Sequence, residues 1–320
     1  MKRAVKIFAV LAAIVILVFF LARTPDTDPD EMMAKYGTPP SQVIVLPDGQ
    51  RIHLRDEGPR GAPVIMLLHG SNADLHTWQP WVEDLRGDYR VVRYDQIGHG
   101  LTGPARDGDL SPAAFAADVG EVADALGIDR FVLAGNSMGG MVAARYAMAH
   151  PDRLLGLVLI DASGAPVERK GGGNLAFALA AQPGVNQLAR EITPRALVER
   201  SLSQSVSNQA VVTPKAVDRY WELARYPGNR DAMIARFAQP RRPFTPEQVR
   251  AIRVPTLVMW GQEDPIVPYE AAGWFMAHRP DATLASYPGV GHLPMEEAPA
   301  RSVADLRGWL AEHVLRPARP

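Results

Sequence analysis

Residues 131–140, FVLAGNSMGG, decide the fold of this chain of 320 residues. The apolar run 131–134 predicts a buried strand, and Met141–His150 predicts the helix that follows it. Between them lies G-x-S-x-G, in which a serine stands at the apex of a very tight turn from strand to helix. Such a turn needs glycine on both sides of the serine, because the chain folds back too closely for larger side chains. The pattern predicts Ser137 as a nucleophile; the alternative is a glycine-rich turn without chemistry.

A serine hydroxyl is a weak nucleophile and needs a base within hydrogen-bond reach. The chain has eight histidines, and His292 is the best candidate among them. It lies in residues 288–294, PGVGHLP, a glycine-rich loop after a short predicted strand. Such a loop lets an imidazole project from the edge of a sheet towards a nucleophile, whereas the alternative is a histidine in a surface loop.

The histidine in turn needs a carboxylate that holds its tautomer and stabilises its protonated form. Asp264 is the predicted acid because it follows the apolar strand 256–260. Two alternatives stay open, the adjacent Glu263 and Asp161, which ends another predicted strand. The resulting chain order, serine, aspartate and histidine, is the order of the fold that carries the G-x-S-x-G turn.

Two backbone N–H groups are candidates for an oxyanion hole. The strand Val64–Leu68 runs into His69-Gly70-Ser71-Asn72, which places the N–H of Ser71 near the predicted nucleophile. The second donor is the N–H of Met138, at the start of the helix. Each donor would contribute roughly 3 kcal/mol to binding the charge of a tetrahedral intermediate. The side chain of His69 is interpreted as a structural hydrogen-bonding group.

The pattern around these motifs predicts an α/β fold with a mostly parallel central sheet flanked by helices. Short apolar runs alternate with helical segments over 41–163 and again over 244–320, which we assign to one core. Residues 164–243 have no strand-like run and several helical segments, which predicts a helical cap inserted into that core. Residues 41–57 predict two strands joined by a turn at 47–49.

The N-terminus is the strongest anomaly of composition. Lys2, Arg3 and Lys6 precede the unbroken apolar run 7–22, IFAVLAAIVILVFFLA. We predict an uncleaved membrane anchor over 1–22, a single transmembrane helix with its N-terminus in the cytoplasm and the catalytic body outside it. The alternatives are a cleaved signal peptide and a buried core helix. Residues 23–40, rich in proline and aspartate, are interpreted as a linker.

Composition narrows the possible partners. The formal net charge is −1, so a polyanion-binding surface for nucleic acid is not expected. The chain has no cysteine, which excludes disulfides and thiolate chemistry. Neither metal-ligand spacing nor a phosphate-binding glycine loop is present in the sequence, so no metal or cofactor is predicted. The sequence leaves the oligomeric state open.

Taken together, the ordered motifs resemble the α/β-hydrolase superfamily in its serine-nucleophile, esterase-like branch, over about 41–313. They are Leu68–Gly70, Tyr94–Gly100, Gly135–Gly140, Gly261–Pro268 and Gly289–Pro294. The resemblance implies that Asp95 and His99, in the D-x-x-G-H-G loop, are structural. It also implies that an aspartate nucleophile, used by the dehalogenases and epoxide hydrolases of this fold, is excluded by Ser137.

The predicted activity is cleavage of a small to medium carboxylic ester through an acyl-enzyme. GNSMGG is similar to the corresponding hexapeptide of carbon–carbon bond hydrolases that act on ring-cleavage products, although their oxyanion loop is typically richer in glycine than HGSNAD. Hydrolysis of a C–C bond and cofactor-free perhydrolase activity therefore stay open, as does a non-catalytic binding protein. Trp78 and His76, after the oxyanion loop, are candidates for the substrate pocket, with core packing as the alternative for Trp78.

Overall fold

A central sheet organises the part of the chain that the structure, a computed structural model, describes, namely residues 2–168, 182, 190–240 and 242–315. Its strands are β1 (Ser41–Val45), β2 (Arg51–Glu57), β3 (Val64–Leu68), β4 (Arg90–Tyr94), β5 (Phe131–Asn136), β6 (Leu154–Ile160), β7 (Thr256–Gly261) and β8 (Thr283–Tyr287). The spatial order is β1-β2-β4-β3-β5-β6-β7-β8. The first two strands run antiparallel to their neighbours, and all later pairs are parallel. The predicted mostly parallel α/β sheet is confirmed.

Helices cover both faces of this sheet, and this explains why its inner strands are apolar throughout. In β3, Met66 and Leu68 point into one core cluster, whereas Ile65 and Leu67 point into the other. The flanking helices are α3 (Gln79–Leu85), α4 (Pro112–Ala125), α5 (Met138–Ala149), α9 (Pro246–Arg250), α10 (Glu270–His278), α11 (Pro294–Glu297) and α12 (Pro299–His313). Because parallel strands end at the same edge, the loops after β3, β5, β6, β7 and β8 meet there.

The segment predicted as a cap contains α6 (Arg195–Ser203), α7 (Pro214–Ala224) and α8 (Asn229–Ala238). No strand is found in its described part, 164–168, 182, 190–240 and 242–243. The remaining positions of the predicted cap lie outside the described residues. The cap returns to the core at α9, whose first turn has the capping box of Thr245 and Gln248 that the sequence suggests.

The N-terminal run forms α1 (Lys2–Ala22), and α2 (Pro29–Tyr36) follows it. Over the residues searched, no helix combines the length and the apolar character that crossing a membrane requires. The structure therefore gives no support to the predicted transmembrane helix.

The segment interpreted as a linker does not stand apart from the body of the molecule. The Thr24 N–H donates to the carbonyl of Glu191, and the Thr27 N–H donates to that of Arg225. In α2, Met32 is buried against Leu101 and Leu223. This part of the chain therefore lies along the cap, which corrects the interpretation of 23–40 as a free spacer.

Candidate active site

Ser137 lies between β5 and α5 with φ of 54° and ψ of −114°, in the left-handed region that few non-glycine residues adopt. A Cβ atom built on Gly135 would lie 2.2 Å from the carbonyl oxygen of Gly139. One built on Gly140 would lie 2.5 Å from the Cβ atom of Ala162. These close approaches are the physical reason for the glycines that the sequence shows around the serine.

His292 and Asp264 meet at the same edge of the sheet. His292 Nδ1 lies 2.7 Å from Asp264 Oδ2, and both residues are buried. The second carboxylate oxygen of Asp264 accepts the N–H groups of Ile266 and Val267 at 2.7 and 3.0 Å. Three donors thus surround the Asp264 carboxylate, which suits an ionised acid that orients an imidazole.

The alternative acids hold other positions. Glu263 is exposed to solvent, whereas Asp161 is fully buried at the end of β6. One oxygen of Asp161 accepts the N–H of Gly261 at 2.9 Å. Between the two buried aspartates, it is Asp264 that forms the hydrogen bond to the His292 ring.

A buried glutamate, Glu297 of α11, holds the loop that carries His292. Its carboxylate accepts four backbone N–H groups at 2.7–3.1 Å, from Ser207, Asn208, Gly291 and Leu293. The N–H of His292 itself donates to the carbonyl of Ser205 in the cap, at 2.9 Å. Sequence reasoning missed Glu297, because its function depends on loops that are distant in sequence and has no local motif.

The oxyanion loop lies directly against the nucleophile. A Cβ atom on Gly70 would approach the Cβ atom of Ser137 to 3.1 Å, so the loop after β3 passes the serine at close range. Met138 is the first residue of α5, where an N–H has no partner within the helix. The N–H groups of Ser71 and Met138 remain the predicted oxyanion donors.

The cap contributes an arginine to this loop. Arg236 of α8 donates to the hydroxyl of Ser71 at 2.8 Å and to the side-chain oxygen of Asn72 at 3.5 Å. Burial lowers the pKa of its guanidinium to about 10, so the group is still charged at neutral pH. Nothing in the sequence around Arg236 indicates this contact.

The other histidines of the motifs are structural, as the resemblance implies. His69 Nδ1 lies 2.8 Å from the carbonyl of Gly70, and its Nε2 accepts the N–H of Gln96 at 3.0 Å. Burial lowers the pKa of His69 and of His99, which keeps both rings neutral. Asp95 is buried beside His53, at 2.7 Å, and fastens its own loop.

A cavity of about 310 Å³ opens above the nucleophile, and Ser137, Ser71 and His292 line it. The cap lines the other side largely with apolar side chains from its three described helices. These are Leu197, Val198, Leu202, Leu223 and Met233. The charged lining groups already have partners: Arg230 binds Asp26 at 2.6 Å, and Asp74 binds Arg219 at 3.1 Å.

The two residues predicted for the substrate pocket do not line this cavity, as far as the structure describes it. The turn Leu75–Trp78 is a short 3₁₀ helix that directs Trp78 into the core, where its ring centroid lies 5.3 Å from that of Trp81. His76 points away to Asp74, at 2.7 Å from its carboxylate. The prediction for Trp78 and His76 was therefore wrong, and core packing is correct for Trp78.

Comparison with known proteins identifies the fold family. A sequence model of the alpha/beta hydrolase fold matches residues 63–299. A curated relative, 2-hydroxymuconate semialdehyde hydrolase of Pseudomonas putida, is 28% identical over 277 residues, which are 84% of this chain and 93% of the relative.

Solved structures agree with this result. A thermophilic esterase from Thermogutta terrifontis has a TM-score of 0.70 and 28% identity, covering 86% of this chain and 99% of the esterase. A membrane phospholipase A described as a bacterial virulence factor has a TM-score of 0.74 and 24% identity, covering 99% of this chain and 100% of that protein. At that identity the likeness to the phospholipase shows the fold alone.

Proposed function

The chain belongs to the α/β-hydrolase family, and from that premise we propose that it is a serine hydrolase that cleaves a small to medium carboxylic ester. Ser137 attacks the acyl carbonyl, and His292 takes the proton from the hydroxyl and returns it to the leaving group. Asp264 orients His292, and water then releases the acyl group from the enzyme. The observation that carries this proposal is the 2.7 Å contact of His292 with Asp264, beside the cavity that Ser137 and His292 both line.

The surroundings of the cavity support an ester over a charged substrate. Its cap side is apolar, and the nearby cations Arg230 and Arg219 are each matched by a carboxylate. An uncharged acyl chain would bury apolar surface there without leaving an ion unpaired. No cofactor is needed for this chemistry.

Hydrolysis of a C–C bond is the second candidate, and the curated relatives favour it. The name of the Pseudomonas putida relative describes a hydrolase of a muconate semialdehyde, a substrate that carries a carboxylate. In this chain the cation without a carboxylate partner near the site is Arg236, which binds Ser71 and Asn72 instead. Such a substrate would need Arg236 or a rearranged ion pair to meet its charge.

Two measurements test the proposal. A fluorophosphonate probe should label the wild type and leave Ser137→Ala unlabelled; a folded wild type that takes no label would contradict a serine hydrolase. A series of p-nitrophenyl esters of increasing chain length, assayed beside a ring-cleavage dienoate, separates the two candidates. Higher kcat/KM on the dienoate than on every ester would favour the C–C hydrolase.

The location of the protein is a separate proposal, which rests on the N-terminal sequence. Three cations precede the apolar run 7–22, and apolar side chains such as Phe8, Leu11 and Leu21 of α1 are exposed. We propose that α1 attaches the protein to the cytoplasmic membrane, with the catalytic body on the outer side. Membrane fractionation, with an intact mass of the N-terminus, tests this; a soluble, shortened chain would support a cleaved signal peptide.

A further inference from the structure

Asp161 is a buried carboxyl group that the proposed mechanism does not use. It ends β6 with a φ of 43° and is fully buried, and its side chain lies with those of Asp264 and His292 in a cluster whose polar atoms are within 4.8 Å of one another. By spacing alone this trio could also ligate a metal ion. The three groups are, however, the ones that a Ser-His-Asp triad would occupy, with one carboxyl group in excess.

The hydrogen bonds of the two aspartates differ. The Asp264 carboxylate accepts from His292, Ile266 and Val267, so three of its four lone-pair directions are used. Asp161 accepts from Gly261 through Oδ1. Its Oδ2 is buried, and no N–H or O–H group of the described chain donates to it.

The side chains of Asp161 and Asp264 are nevertheless in hydrogen-bond contact. Two carboxyl groups can form a hydrogen bond only when one of them carries a proton, and two like charges this close in a buried site are costly. The group with fewer donors, Asp161, is the one that keeps the proton. Burial, followed by the charge of Asp264, raises the pKa of Asp161 well above its usual range.

We propose that Asp161 is a positioning residue of the triad, held as a neutral carboxylic acid that donates a hydrogen bond to Asp264. This rests on the proposed function, in which Asp264 orients His292. The bond occupies the last lone-pair direction of Asp264 and fixes the carboxylate from the side opposite its backbone donors. The titratable groups that face Asp161 are Asp264, His292, Glu297 and Tyr287.

The test compares Asp161→Asn with Asp161→Ala in pH profiles of kcat/KM on a p-nitrophenyl ester. Asparagine keeps the shape, the acceptor for the Gly261 N–H, a donor for Asp264 and zero charge, and it tolerates positive φ. We expect Asp161→Asn to stay within about 3-fold of the wild type and to leave the acidic limb of the profile unmoved. Asp161→Ala loses the donor, and we expect kcat/KM to fall by about 10- to 100-fold.

If Asp161 were ionised, the asparagine would remove a negative charge next to His292 and move the acidic limb to lower pH, because the imidazolium would lose stabilisation. Such a shift would overturn the proposal, as would an asparagine variant that is as damaged as the alanine variant. Asp161→Ala can fail to fold, so the asparagine variant carries the decision.

A spectroscopic measurement is independent of activity. The infrared difference spectrum between wild type and Asp161→Asn at pH 8 should contain the carbonyl stretch of one protonated carboxylic acid; its absence would overturn the proposal. Fluorophosphonate labelling of the wild type tells the two failures apart. A wild type that takes no label contradicts the proposed function, whereas the infrared band still reports the protonation of Asp161.

Discussion

The strained backbone of Ser137 is held in place by hydrogen bonds to its neighbours. A non-glycine residue in this region costs on the order of 1–3 kcal/mol. The Ser137 N–H donates to the carbonyl of Ile160, and its own carbonyl accepts the N–H groups of Met141 and Ser163, all at 2.9–3.2 Å. Strands β5 and β6 and helix α5 therefore determine the position of the hydroxyl together.

At the same scale, the pair of aspartates makes a prediction about loss of the triad acid. In Asp264→Asn the charge beside Asp161 is gone, so Asp161 can ionise and meet the His292 ring from within 4.8 Å. We expect kcat/KM to fall by about 10²- to 10⁴-fold in Asp264→Asn, and roughly tenfold further in the double variant Asp161→Asn/Asp264→Asn. Steady-state kinetics above pH 7 check this, with Asp161→Asn as control. Equal rates for the single and double variants would contradict a second carboxylate within reach.

Arg236 makes a prediction about the oxyanion hole. Its bond to the Ser71 hydroxyl places a positive charge behind a donor of the transition state. We expect Arg236→Met to lower kcat by about tenfold while KM changes little, because the charge acts when the oxyanion forms. Arg236→Lys should recover part of the loss. The control is Arg200→Met, which removes an exposed arginine of the cap. A change confined to KM would assign Arg236 to substrate binding instead.

At the scale of elements, the loop after β8 depends on Glu297 of α11. Its carboxylate satisfies four buried N–H groups, two in the His292 loop and two in the cap. Each buried N–H left without a partner costs about 1–3 kcal/mol.

We therefore expect Glu297→Ala to lower the free energy of unfolding by several kcal/mol and to lower kcat, with Glu297→Gln intermediate because its amide keeps one acceptor oxygen. Chemical denaturation and kinetics measure the two effects. Glu263→Gln, at an exposed position, is the matched control. A Glu297→Ala protein of wild-type stability would show that water replaces the carboxylate.

Helix α4 makes a prediction about pH. Burial raises the pKa of Asp118 to about 7, with Glu121, Asp48 and Asp107 adding repulsion, and one of its carboxyl oxygens is buried without a partner. In the unfolded chain this pKa is about 3.9. From pH 4 to 7 the unfolded state therefore releases a proton that the folded state keeps, so the stability contributed by Asp118 falls with rising pH.

We expect Asp118→Asn to raise the stability at pH 8 by on the order of 1 kcal/mol, or about 2–4 °C in Tm, with little change at pH 4. Thermal unfolding at both values measures it. Asp129→Asn, an exposed neighbour, should give no pH-dependent gain. An equal gain at both pH values would mean that charge is not the cause.

Most elements of the core could be predicted from the sequence, because their signals are local. The apolar runs of β3 and β4 and the cap residue and proline of α4 mark their own boundaries. The glycine spacing around Ser137 and the loop of His292 likewise carry their chemistry in a few adjacent residues. Glu297 and Arg236 could not be found in this way, since each acts on loops that only the folded chain brings to it.

At the scale of the whole molecule, the N-terminal segment joins α1 to the cap at the cavity. Arg230 lines the cavity and pairs with Asp26, and Glu222 of α7 binds both Lys35 and Tyr36 at 2.7 Å. Exposed ion pairs contribute little to stability, whereas a partly buried network with an apolar contact contributes more. Met32 provides that contact against Leu223, another lining residue.

Two truncations separate the helix from the segment. Deleting 1–22 should leave Tm and kcat/KM close to those of the full chain, because the contacts with the cap begin at Arg23 and Thr24. Deleting 1–36 removes the partners of Arg230 and Glu222 and uncovers Leu223. We expect it to lower Tm by several degrees, since losing a buried methionine alone costs about 2–5 kcal/mol.

The kinetic effect of the longer deletion should lie mainly in KM. The groups that lose their partners line the cavity, whereas Ser137, Asp264 and His292 are held by the core and by Glu297. Kinetics on a long-chain and a short-chain ester would measure this, with the larger change for the long chain, which reaches the cap. If both truncations behaved alike, the cap would hold its own shape and the segment would act only as a connection to α1.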